Sequence, residues 1–262
     1  MSEQPLDALP IWGVYALIVL VAFLTVEVGF RLGRYKQQRT KHVMEASVGS
    51  VVGATLALLA FFLVFLTGAA ADRFDTRREL VVTEANAINR TYLRAGYLEE
   101  PYRSDIRQLL REYVDVRLEA ARDPNKLAAG VARSEEIHRE IWDQAEVLAV
   151  QARPNSDMVA LFIESLNDVI DVHTERVVVG LLRIPTNIWT AVFFIALLTI
   201  AMVGFQNGVT GNRVVIAQLA MIMVFAGVIL LIVDLDRSQE GFLQVSQQAI
   251  VDLQRLLRSG GS

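Results

Sequence analysis

Acids stand beside arginines at the ends of apolar runs, phenylalanines bunch within one run, and histidines stand singly. Glu27 falls about a turn inside the first apolar run, where an ionisable side chain is costly unless paired or wet. One reading has it reaching the interface beside Arg31 and Arg34; the other has it lining a pathway or coupling to another group. Asp72, Arg73 and Asp75 follow the second run, and Asp234, Asp236 and Arg237 follow the fourth. Acid next to arginine allows cross-pairing, for instance of Asp234 or Asp236 with Arg73, as a clamp on helix register. The alternatives are a charged ring at a pore mouth and a hard-oxygen cation site, against which the adjacent arginines argue. Phe61, Phe62 and Phe65 form an aromatic cluster, with Phe61 and Phe65 on one helical face. Ordinary packing explains it, and so does a hydrophobic constriction that gates by dewetting. His42, His138 and His173 lie on separate segments without a second ligand at metal-like spacing, which predicts solvated or packed rings and no metal site.

These residues need long helices to position them. The chain has 262 residues, 53% of them apolar, and its charges are concentrated between apolar runs that hold almost none. That segregation marks a membrane protein with one polar domain. A net charge of −4 and the lack of a basic, aromatic-laced patch exclude a nucleic-acid partner. Without cysteine there is neither a disulfide framework nor a thiolate metal site. No Walker motif, dinucleotide glycine fingerprint or nucleophile elbow is present, so no catalytic residue, enzyme activity or cofactor is expected.

The expected fold is all-α: four transmembrane helices, with a helical extramembrane domain between spans two and three. Residues 1–48 hold the first span and a basic connector with Arg31, Arg34, Lys36, Arg39 and Lys41. Residues 49–71 form the second span, in which Gly49, Gly53 and Gly68 offer close helix approach. No proline interrupts the chain after it, so the helix is expected to run on unbroken to about Tyr97. Residues 72–186 form the helical domain. Its further helices start after Pro101, at about Ala132 and at Ser156 as N-cap, and are separated by Asp123-Pro124-Asn125 and Arg153-Pro154-Asn155. Residues 187–233 hold spans three and four, joined by a polar connector that includes Asn212 and Arg213. Residues 234–262 form an amphipathic tail whose last five residues, from Arg258, are expected to be disordered.

Counting crossings places the exits of spans two and four on one face, and Glu27, Gln206, Asn207 and Arg213 on the other. Arg213 is thus the candidate partner for Glu27. The positive-inside rule applied to the short basic connector puts the helical domain outside the cytoplasm. Asn89-Arg90-Thr91 matches a glycosylation sequon, a pattern that also arises by chance.

Several stretches carry a family likeness: Phe61-Phe62-Leu63-Val64-Phe65, Ala71-Asp72-Arg73-Phe74-Asp75-Thr76-Arg77-Arg78, Glu84-Ala85-Asn86-Ala87-Ile88, Leu109-Leu110-Arg111-Glu112-Tyr113-Val114, Arg183-Ile184-Pro185, and Leu231-Ile232-Val233-Asp234-Leu235-Asp236-Arg237. Together they resemble the bestrophin-like bacterial membrane proteins, and more distantly the bestrophin anion channels. The resemblance implies a multi-pass protein of the bacterial inner membrane that assembles with copies of itself. It implies a pore lined by the second span, with Phe61, Phe62 and Phe65 at the constriction and an anion as the permeant species. It also implies a cytoplasmic helical domain, against the connector's charge. Where bestrophins carry a calcium-binding acidic cluster, this chain has only Asp234 and Asp236. Two functions stay open: an oligomeric anion channel, and a membrane-anchored structural or signalling module whose helical domain binds a partner.

Overall fold

The computed structural model describes residues 10–38, 45–151, 156–211, 213–237 and 241–259. Arg39, Lys41, His42, Arg153, Pro154, Asn155, the Ser156 side-chain cap, Asn212 and residues 260–262 lie outside what is described. Among the described residues eight α-helices follow in order: α1 (Ile11–Gln37), α2 (Glu45–Ala95), α3 (Tyr102–Arg122), α4 (Leu127–Gln151), α5 (Ser156–Leu181), α6 (Thr186–Thr210), α7 (Val215–Asp236) and α8 (Gln248–Ser259). No strand occurs among the described residues. Four helical stretches are long and apolar enough to cross a membrane, within Ile11–Gln37, Val48–Ala95, Asp157–Thr210 and Val215–Asp236.

Helix α2 runs for 51 residues without a break, more than twice the roughly 20 that hydrocarbon requires. It lacks proline, and the change from apolar to charged residues at Asp72 leaves its backbone hydrogen bonding undisturbed, because those bonds are internal to the helix. After α3, the Asp123 side chain accepts the Asn125 amide at 3.0 Å and caps a short 3₁₀ turn, Pro124–Lys126. That turn feeds directly into α4, which therefore starts at Leu127 rather than near Ala132. Gly130 does not interrupt α4; it is where α4 meets α3, and a Cβ there would lie 2.6 Å from that of Ala120.

The chain divides into two compact units, Met1–Arg73 with Arg183–Leu243, and Phe74–Leu182 with Gln244–Ser262. In the first, α1 and α6 run parallel and touch backbone to backbone. A Cβ on Gly29 would lie 2.1 Å from the Ala201 carbonyl oxygen, and one on Gly33 2.1 Å from that of Phe205. From the other side, Cβ atoms on Gly204 and Gly208 would lie 2.3 Å from the carbonyl oxygens of Val26 and Phe30. Two glycine pairs at four-residue spacing thus make the contact, as expected between lipid-embedded helices, which gain little from hydrophobic attraction to one another. Within the single chain the glycines of the second span make no such contact: among the described residues nothing lies within 4 Å of a Cβ on Gly53 or Gly68, and one on Gly49 would meet a Gln206 side chain. Helix α7 is antiparallel to α1, with Tyr15 against Met223 and Glu27 against Arg213.

The second unit packs the latter part of α2 with α3, α4, α5 and α8 around a core that includes Ile88, Ile106, Leu110, Ile137, Ile141, Phe162, Leu166 and Ile250. Thr91 donates across this core to the Ser165 carbonyl at 2.8 Å. Arg258 and Ser259, expected to be disordered, are the last turn of α8. Ile250, Leu253 and Leu257 bury one face of that helix, and Arg258 pairs with Asp115 at 3.0 Å.

The glycine contact yields a contrast that thermal unfolding of the detergent-solubilised protein can read. Gly33→Ala and Gly204→Ala are each expected to destabilise by about 1–3 kcal/mol through overpacking. Gly53→Ala has open space and is expected to be neutral or stabilising, because alanine is the better helix former.

Candidate functional site

Asp234 and Asp236 end α7 almost without solvent contact, at 4% and 3% exposure. A carboxylate so placed needs hydrogen bonds and positive charge. Asp236 accepts the amide of Ile184, in the link between α5 and α6, at 2.9 Å. Arg73 and Arg183 approach it at 3.8 and 3.9 Å. Asp234 accepts the amides of Phe242 and Leu243 at 2.8 and 3.1 Å and so anchors the chain as it turns away from α7. The turn needs glycine at 241, where φ is +151° and a Cβ would sit 2.2 Å from the Asp234 carboxylate. Arg237 is buried beside them, while Asp72 and Asp75 are exposed. The structure thus brings Arg73 to Asp236 and turns both α7 carboxylates to backbone amides.

At the opposite end of α1, Arg213 reaches Glu27 at 2.9 and 3.0 Å, and Arg31 reaches it at 2.8 Å from the next turn. The Arg213 guanidinium also lies over the Phe30 ring, 4.4 Å from its centroid. On α2, Phe61 and Phe65 are 66% and 64% exposed, and Phe62 is half-buried with its ring edge-on to Phe61 at 6.0 Å. Val52, Leu59, Leu63, Leu66 and Ala70 form the buried face of the same helix.

The second unit holds a polar cluster that sequence reasoning missed. Glu84 on α2 is completely buried and lies between two guanidiniums, Arg117 on α3 at 3.1 Å and Arg176 on α5. Tyr113 donates its hydroxyl proton to Glu84 at 2.6 Å. Its oxygen is then free to accept from His173 Nδ1, 3.1 Å away, which places the proton of His173 on that nitrogen. His138 on α4 completes the group, its ring 4.9 Å from that of His173 and 4.7 Å from that of Tyr113. The Nε2 atoms of both histidines are buried without a hydrogen-bond partner. A cavity of about 480 Å³ opens beside them, walled in part by Trp142, Ile170 and Val177. Among the described residues no three or more His, Asp or Glu side chains are placed to hold a metal ion. The clue in the sequence was a polar residue on each apolar face: Glu84 between Val81 and Ile88, His138 beside Ile137, His173 four residues after Val169. Their pairing across three helices has no counterpart in spacing.

Burial would raise the Glu84 carboxyl, but Arg117 and then Arg176 hold it below the usual carboxylate range. Burial, then the charge of Glu84, pushes the Tyr113 hydroxyl well up. Burial lowers both imidazoles from 6.5 to about 4, helped at His138 by His173 and at His173 by Arg117. As pH falls, the unfolded chain therefore takes up these protons first. The stabilising contribution of the neutral rings is complete above about pH 6.5 and is lost as pH falls from there toward 4. Thermal melting followed by tryptophan fluorescence is expected to drop across this window, and less steeply in the variant His138→Phe. A midpoint equally pH-dependent in both proteins would remove the buried pair as the cause. Glu84→Gln leaves two guanidiniums facing a neutral group and is expected to destabilise by about 3–5 kcal/mol.

Comparison with known proteins supplies the family. Solved structures with the same fold include a membrane protein (TM-score 0.70, 16% identity, covering 96% of this chain and 99% of that one). A bacterial bestrophin homologue from Klebsiella pneumoniae matches with TM-score 0.70 and 14% identity over 93% and 97% of the two chains. Another variant of the Klebsiella pneumoniae homologue matches with TM-score 0.67 and 15% identity over 96% and 99%. No curated protein sequence matches the chain. The Bestrophin-like domain matches residues 16–250. With nearly the whole chain inside that match and four helices able to span a bilayer, this multi-pass bacterial membrane protein belongs to the bestrophin-like family.

Proposed function

We propose that the protein is an oligomeric anion channel whose pore is lined by the membrane part of α2, with the second unit outside the bilayer. The observation that carries this reading is the exposed face of α2. Gly53, Ala57, Phe61, Val64, Phe65 and Gly68 follow one another at helical spacing and are exposed in the single chain. Small residues stand at both ends of that face and phenylalanines in its middle. A ring of such helices would be narrowest at Phe61 and Phe65, and an apolar belt there opposes ion passage by dewetting. The membrane boundary clusters Asp72–Arg73–Asp75 and Asp234–Asp236–Arg237 then stand near one mouth, and Glu27 with Arg213 near the other.

One observation favours a second reading, passage of cations. The first acids past the apolar stretch, Asp72 and Asp75, are exposed on α2, and rings of carboxylates select cations. Flux from reconstituted liposomes tests both readings, with chloride and sodium gradients measured separately. Phe61→Ala and Phe65→Ala are expected to raise chloride flux above wild type. Wild type and both variants at the level of empty vesicles for both ions would remove the channel and favour a membrane-anchored module. Sodium flux without chloride flux would replace the anion with a cation.

A further inference from the structure

One cluster of charge is left over from the proposed pore. Glu27, Arg31 and Arg34 recur at helical spacing on one stripe of α1 and, with Gln38 just past its end and Arg213, line an open cavity of about 390 Å³. Its three guanidiniums face one carboxylate, so it carries an excess of two positive charges. Glu27 is shared by Arg31 and Arg213, and each of those guanidiniums keeps donors in reserve, since each carries five N–H groups. Arg34 has no side-chain partner among the described residues.

The surroundings say what kind of anion fits. Val28, Leu32 and Tyr35 occupy the adjoining stripe of α1 and are exposed, as are Val214, Val215 and Ile216 just after Arg213. The cavity lies where the apolar run of α1 ends, and the end of a spanning helix is where headgroups are met. A ligand that fills the cavity and covers these residues needs a phosphate and hydrocarbon together. We propose that this cavity binds the phosphate of an anionic phospholipid, with Arg34 as the donor that no other side chain occupies and Arg31 and Arg213 beside it. Glu27 is the positioning residue: it aims two of the three guanidiniums and is itself neutralised by them. The backbone contact of Gly33 and Gly208 beneath Arg34 keeps the donors in place.

Native mass spectrometry of the detergent-solubilised full chain tests this, with phosphatidylglycerol, phosphatidylcholine of the same chains, and soluble glycerol phosphate as probes. Phosphatidylglycerol is expected to bind the wild type more tightly than phosphatidylcholine. Arg34→Gln is expected to weaken phosphatidylglycerol about tenfold, the worth of a charge-assisted hydrogen bond, and to weaken phosphatidylcholine less, because its trimethylammonium keeps it from the cationic cavity. Arg34→Lys keeps the charge and should retain most of the affinity, and Arg139→Gln, in the second unit, all of it. Equal binding of the two lipids, an Arg34→Gln protein that binds phosphatidylglycerol like wild type, or an equal loss in Arg139→Gln would overturn the site. Glycerol phosphate binding as tightly as phosphatidylglycerol would overturn the lipid in favour of a soluble phosphate ester.

Discussion

A carboxylate with little access to water needs hydrogen bonds or positive charge, and among the described residues three acids each take two arginines. Glu27 lies between Arg31 and Arg213, Asp236 between Arg73 and Arg183, and Glu84 between Arg117 and Arg176. In each case at least one arginine comes from a distant part of the chain. The pairs therefore join segments as well as neutralise charge. An acid with a single arginine would leave a buried pair with unfilled lone pairs. Two guanidiniums supply enough donors, and breaking such a group leaves a charge that nothing compensates.

Two arginines to one acid also leave a surplus of positive charge, and its consequence depends on where the group sits. At Glu84 the surplus is sealed among apolar side chains and borders two imidazoles, which stay neutral because a further charge there would be poorly solvated. At Asp236 the two arginines act together with the Ile184 amide, which fixes the link between α5 and α6 to the end of α7. At Glu27 it opens onto a cavity at the end of the apolar run of α1, where it can attract an anion. The same electrostatic device thus serves structure in two places and, in the proposed lipid site, recognition in the third.

The two units cohere for different reasons. Water drives the apolar faces of α3, α4, α5 and α8 together with α2, and the result is a core of large side chains. Among membrane helices that drive is absent, so α1 and α6 meet through glycines that let backbones touch and dispersion contacts accumulate. A Cβ at any of these four glycines would meet a carbonyl oxygen of the facing helix.

Much of this was legible in order along the chain. Runs of apolar residues long enough for a bilayer, the lack of proline after Ala71, and Pro101 before α3 determined by themselves the number of spans, the unbroken α2 and most helix limits, because helix geometry and hydrocarbon thickness are local constraints. Counting crossings even placed Arg213 near Glu27 and Arg73 near the acids of α7. The contact surfaces were not legible: glycines in spans one and three, rather than in span two, make the closest approach, although both sets have suitable spacing. Nor was the cluster of Glu84, Tyr113, His138 and His173, whose members are far apart in sequence and look like isolated polar residues on apolar faces. Periodicity assigns a residue to a face, but only tertiary packing decides which faces meet, because the energy of a buried charge or a backbone contact depends on the partner across the gap rather than on its neighbours in sequence.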